Sequence, residues 1–296
     1  MTDGPPLPDV PGVVHSHHRA NGVRLHVAEA GEGGRPAVLL LHGWPQHWYE
    51  WRHLIPALAA ERRVICPDLR GFGWSDAPPS GYDKLTLTRD MLALLDELGV
   101  ERCGVVGHDW GGWIGFLMCA LAPERVERFL ALNIASPFSP PSLRGLATLW
   151  RFWYAAAIAT PQLGARVVQS LSQADHPLAR WVGAGAWSQE ERRSFLGQFA
   201  DPARVRASVQ LYRAMPRDTL PRRDWRLPLE QPILMLHGLD DQVVRPVHFA
   251  GHERWARDMR VELVADCGHF IAEERPDLVA ERARELFGSA QARADS

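Results

Sequence analysis

Lysine is nearly missing from this chain of 296 residues: of its 33 Lys and Arg side chains one, Lys84, is a lysine. The arginines are scattered rather than clustered and read as codon usage in a GC-rich genome. Set against 35 acidic side chains they leave a formal net charge of −2, which removes any bulk pull toward nucleic acid. Cysteine is scarce as well. Cys66, Cys103, Cys119 and Cys267 stand far apart without metal or redox spacing, so they are expected to be buried free thiols in a reducing compartment. No apolar run approaches the roughly 20 residues that span a bilayer. The opening MTDGPPLPDVPG has neither the basic n-region nor the apolar h-region of a signal peptide. The expected setting is the cytosol, with no membrane or nucleic-acid partner; oligomeric state is left open. Tyrosine is rare too, with only Tyr49, Tyr82, Tyr154 and Tyr212.

What the chain does have is a hydrophobic content of 46%, enough for one large α/β domain or a core carrying an insert. Residues 1–12 are Pro-rich and expected to be loose. Val13–Arg19 and Val23–Ala30 alternate around Asn21-Gly22 as a β-hairpin. Ala37–Leu41, Arg63–Cys66, Cys103–Val106 and Val126–Asn133 read as strands. Trp51–Ala60, Leu85–Leu98 and Gly111–Leu121 read as the helices between them. The alternation stops at SPFSPPSL, residues 136–143, and residues 146–226 show helical patterns without a convincing strand. Strands resume at Ile233–Leu236 and Val261–Val264, followed by a helix over Pro276–Phe287 and a frayed tail over 289–296. The expected architecture is a mostly parallel, doubly wound sheet, with core segments 13–138 and 227–288 and a helical cap over 139–226. Such an insert would sit above the carboxyl ends of the strands, where these sheets bind ligands.

Four short motifs follow strand ends. Gly107-His108-Asp109-Trp110-Gly111 has the spacing of the G-x-S-x-G nucleophile elbow, with Asp109 where serine usually stands. His42-Gly43-Trp44-Pro45 can supply one oxyanion N–H, from Trp44, and the residue after the nucleophile, Trp110, the other. Gly238-Leu239-Asp240-Asp241 offers an acid and Asp266-Cys267-Gly268-His269 a base, in the chain order nucleophile, acid, base of the α/β-hydrolase fold. A serine needs a base to become a nucleophile, whereas an aspartate is ionised at neutral pH without one. The helix following the elbow favours that charge. A carboxylate can attack an sp³ carbon bearing a leaving group and form an alkyl ester. The histidine is then free to activate water for its hydrolysis. The bland alternative, a carboxylate that only caps the helix, leaves Asp241 and His269 without a purpose.

HGWPQHWYEWR, DLRGFGWSD, GHDWGG and DCGHF resemble the epoxide hydrolases of the α/β-hydrolase superfamily, and the similarity covers nearly all of the chain beyond the first dozen residues. The resemblance implies a cofactor- and metal-independent hydrolase acting on an apolar or aromatic epoxide with water. It implies Asp109 as nucleophile, His269 as base and Asp241 as its orienting acid; the usual spacing after the glycine favours Asp241 over Asp240. It also implies two tyrosines in the insert as proton donors to the opening ring, namely Tyr154 in LWRFWY and Tyr212 in VQLYRAM. The core motifs are shared with haloalkane dehalogenases, the alternative reading. Many of those place Asn after the His-Gly pair, where this chain has Trp44. Fluoroacetate dehalogenases carry arginines where this chain has Trp110 and Trp113. A non-catalytic receptor on the same fold is the reading from another class, and a complete nucleophile, acid and base set speaks against it. Trp44, Trp110, Trp150, Trp153, Trp181 and Trp187 fall in these motifs or the insert, as core packing or as an apolar pocket. His15, His17, His18, His248 and His252 read as polar surface, and His42, His108 and the Asp68 turn as scaffolding.

Overall fold

The computed structural model describes residues 7–139, 143–182, 185–218 and 224–288. Its spine is one sheet of eight strands: β1 (Val14–Ala20), β2 (Val23–Ala30), β3 (Ala37–Leu41), β4 (Arg63–Pro67), β5 (Cys103–His108), β6 (Val126–Leu132), β7 (Ile233–Gly238) and β8 (Met259–Val264). They lie in the order β1-β2-β4-β3-β5-β6-β7-β8. The β1–β2 hairpin joins β4 antiparallel, and every pairing from β4 to β8 is parallel. Strands β3, β5 and β7 are buried along their whole length, as continuous apolar runs in a parallel sheet should be.

Helices α1 (Leu54–Ala59), α2 (Lys84–Glu97), α3 (Trp110–Leu121) and α11 (Pro276–Gly288) cover the two faces and bury two separate apolar clusters. Between β6 and β7 the described residues hold helices and no strand: α4 (Leu143–Leu146), α5 (Trp153–Ala159), α6 (Pro161–Ser170), α7 (Pro177–Val182), α8 (Gln189–Gly197) and α9 (Pro202–Asp218). Helices α5, α6 and α9 pack on one another, and α9 also touches α2.

Several boundaries differ from expectation for local reasons. The helix expected over Trp51–Ala60 begins earlier, as a 3₁₀ turn at Trp48–His53, before α1. Asp68 accepts from the Trp48 N–H, and the His47 ring accepts from the Tyr49 N–H, which tightens that first turn. Strand β8 starts two residues before the expected Val261, because Met259 is buried even though the next residue, Arg260, points to solvent. A one-turn helix, α10 (Ile271–Glu274), follows the candidate base and was not expected. Residues 1–6 and the tail 289–296 lie outside the described residues, as does part of the 136–143 hinge. Val10 is buried against the second apolar cluster, so the N-terminal segment is anchored from there rather than loose to residue 12. The histidines read as polar surface also divide: His15 bonds His26 and packs edge-on against Trp48, while His248 bonds Thr148. No helix among the described residues is long and apolar enough to cross a membrane.

Candidate active site

Strand β5 ends at His108 and α3 starts at Trp110, so Asp109 alone makes the turn. Its backbone is at φ 47 and ψ −121, a conformation that costs a non-glycine residue about 1–3 kcal/mol. The flanking glycines allow it. A Cβ on Gly111 would lie 2.0 Å from the Leu41 carbonyl oxygen, and one on Gly107 2.5 Å from that of Gly111. The Asp109 side chain makes no capping bond to α3. Instead Oδ2 accepts the Trp44 N–H at 3.0 Å, leaving Oδ1 directed toward His269, whose Nε2 lies 4.0 Å away.

The histidine is set from behind. Its Nδ1–H donates to Asp241 Oδ2 at 2.9 Å, which leaves Nε2 as the acceptor facing Asp109. Burial disfavours the imidazolium, but the charge and hydrogen bond of Asp241 outweigh it and raise the His269 pKa above its ordinary 6.5. Asp241 is fully buried at the end of β7, and Asp240 beside it is exposed. Burial alone would lift the Asp241 carboxyl. His269, Asn133 and the Val243 N–H hold it down at about 2. Every acceptor direction is used: Oδ1 takes the Val243 and Val244 N–H groups, and Oδ2 takes Asn133 as well as His269.

Three supports escaped the sequence reading. Asn133, at φ 42 just past β6, donates to Asp241 and to the Gly268 carbonyl, and so ties the acid to the histidine loop. Glu274 on α10 accepts the N–H groups of Gly268 and Phe270, on either side of His269. Glu50 accepts the Gly43 N–H and pairs with His108 at 2.7 Å. Against its burial, that pairing raises the His108 pKa, and Nε2–H donates to the His269 carbonyl. Only the Ser/Thr/Asn/Asp residue types at strand ends and the acidic residues around the motifs hinted at these roles.

A cavity of about 450 Å³ opens on Asp109 and His269 and is also lined by Trp44 and, from the helices between β6 and β7, by Tyr154, Trp181 and Tyr212. Tyr212 on α9 is buried among edge-on rings: Trp44 at 5.2 Å, Trp110 at 5.7 Å and Tyr154 at 6.0 Å between centroids. Burial, with Asp109 nearby, raises both tyrosine pKa values, so both hydroxyls keep their protons. Tyr49 and Tyr82 do not line the cavity, and Tyr82 donates to the Pro78 carbonyl. The structure thus brings together all five expected side chains and Trp44. Trp110 follows Asp109 at the first turn of α3.

The fold is that of a known group. Residues 36–276 match the family model described as alpha/beta hydrolase fold. The soluble epoxide hydrolase of Corynebacterium sp. (strain C12) is 33% identical over 92% of this chain and 97% of its own length. This chain belongs to the α/β-hydrolase family, among its epoxide hydrolases. It is a hydrolase by that membership. The solved structure of epoxide hydrolase CorEH without ligand superposes with a TM-score of 0.80 at 30% identity, over 94% of this chain and 99% of that one. Epoxide Hydrolase A from Mycobacterium thermoresistibile gives 0.79 at 27% identity, over 93% and 98%.

Proposed function

We propose that this α/β-hydrolase opens an apolar epoxide to a vicinal diol through an alkyl ester on Asp109. The observation that carries the reading is the placement of Asp109, whose Oδ1 has no hydrogen-bond partner among the described residues, on a cavity that Tyr154 and Tyr212 also line. Oδ1 attacks one epoxide carbon and the C–O bond of the ring breaks. The leaving oxygen takes a proton from a tyrosine hydroxyl, which it needs because an alkoxide leaves poorly. Oδ2 becomes the ester carbonyl oxygen and already sits on the Trp44 N–H.

In the second step His269 Nε2 removes a proton from water, and the hydroxide attacks the Asp109 carboxyl carbon. The tetrahedral oxyanion rests on the N–H groups of Trp44 and Trp110. Collapse releases the diol and restores the carboxylate, and the proton held on His269 returns through solvent to the tyrosinate. Asp241 stabilises the imidazolium formed on the way. No step uses a cofactor or metal. Residues 139–226 act as a cap that carries both proton donors over core segments 13–138 and 227–288. Trp181, which lines the cavity and packs near Trp153 and Tyr154, supports an apolar or aromatic substituent on the epoxide. The four cysteines, all buried and unpaired, support a cytosolic setting.

The test is the intact mass of the His269→Gln variant after separate exposure to an aryl epoxide and an alkyl bromide. The expected result is an adduct of the whole epoxide mapped to Asp109. An alkyl adduct without an epoxide adduct would move the chain to dehalogenase chemistry, and no adduct with either would remove Asp109 as nucleophile.

A further inference from the structure

The one lysine of the chain is also the most enclosed of the described Lys and Arg side chains. Lys84, the first residue of α2, has no exposed surface, whereas the most buried arginines, Arg70 and Arg62, keep 8% and 9%. Its ammonium lies 3.8 Å from the centre of the Trp110 ring, within the range of a strong cation–π contact. It also pairs with Asp218 Oδ2 at 3.4 Å and donates to the Leu211 carbonyl at 3.4 Å. Both partners are on α9, on either side of Tyr212 in the chain, and Asp218 accepts the Lys84 backbone N–H as well.

A guanidinium would meet these partners differently. A compact ammonium satisfies a ring face, a carboxylate and a carbonyl from three directions, while a planar fork needs its donors in one plane. Codon usage accounts for arginine elsewhere and leaves lysine at this position unexplained; the three-way contact explains it. Burial pulls the Lys84 pKa down, to about 8, against the opposing charges of Asp218, Asp109 and Asp83, so the ammonium is still the dominant form at neutral pH.

We infer that Lys84 is a positioning residue for the reaction, holding the Trp110 ring and the Leu211–Tyr212 turn of α9 so that the Tyr212 hydroxyl meets the opening ring. The inference rests on the proposed role of Tyr212 as proton donor. Lys84 touches neither substrate nor the reacting atoms; it acts through the two rings that do line or border the site. Because ester hydrolysis uses His269 and the Trp110 backbone N–H, which belongs to α3 rather than to the ring that Lys84 holds, loss of Lys84 should fall on ring opening and spare hydrolysis.

The experiment is a double-mutant cycle on single-turnover rates with an aryl epoxide, using Lys84→Met, Tyr212→Phe and the pair. Lys84→Met should slow ester formation about tenfold or more in the native background and less than about twofold in the Tyr212→Phe background, with ester hydrolysis unchanged. A merely structural role would cost the same factor in both backgrounds or slow both steps, and either result overturns the inference. If Tyr212→Phe itself leaves ester formation unchanged, the donor reading fails and the role of Lys84 falls with it. Should Lys84→Met leave Asp218 unpaired and the protein unfolded, Lys84→Met with Asp218→Asn removes the buried charge as a pair, and the same cycle is read in that background.

Discussion

The two walls of the cavity are built differently. The wall at the sheet ends is a closed hydrogen-bond network: Asp241 has four donors, His269 is fixed through its ring and through both neighbouring N–H groups, and the buried Glu50–His108 pair braces the loops beside Asp109. The helical wall is held mainly by ring contacts, with the Lys84–Asp218 pair behind it, and Trp181, which lines it, and its neighbour Trp153 remain 47% and 55% exposed. Groups that must carry or move charge need fixed dipoles that do not reorganise during the reaction. Groups that recognise an apolar body need shape, and shape tolerates replacement better than a polar network does.

That contrast can be broken at several points. Asp109→Ala should abolish turnover, by about 10⁶-fold, in a steady-state diol assay; substantial residual activity would place the chemistry elsewhere. Asp241→Asn comes next, at about 10⁴-fold in the ester-hydrolysis rate, since an amide can impose the wrong tautomer on His269. It also carries a pH signature. The base works only when neutral, so hydrolysis in the native enzyme should rise with pH through a limb above 6.5, because Asp241 raises the His269 pKa against its burial. With the Asp241 charge gone that limb should move to lower pH, and an unmoved limb would show that Asp241 does not set it. On the helical wall, Trp181→Ala should raise KM for an aryl epoxide by about tenfold at most and leave kcat within about twofold. A fall in kcat alone would make Trp181 part of the chemistry rather than of recognition.

Most of the fold was legible because parallel strands buried on both faces are continuous apolar runs, as at Ala37–Leu41 and Ile233–Leu236, and because the elbow demands glycine at positions 107 and 111. Asp109, Asp241 and His269 were legible for the same reason: each sits in a motif fixed by its own strand end. Asn133, Glu50 and Glu274 were not. Their partners lie in other segments, such as Asn133 with Asp241 or Glu50 with His108, and a pairing across the sheet leaves no local period or spacing. Lys84 shows the limit from the other side. Its rarity was plain in the sequence, but only the convergence of α2, α3 and α9 gives it a reason.

The burial of Lys84 has a consequence for the chemistry of the folded surface. Since it is the chain's one lysine and has no exposed area, the native protein presents no side-chain amine to an acylating reagent. Modification at that position requires α2 to part from α9 and the Trp110 ring. A mass label on one residue would therefore count the openings of one contact, and the rate of labelling would be a clock for the local breathing of the wall that carries Tyr212.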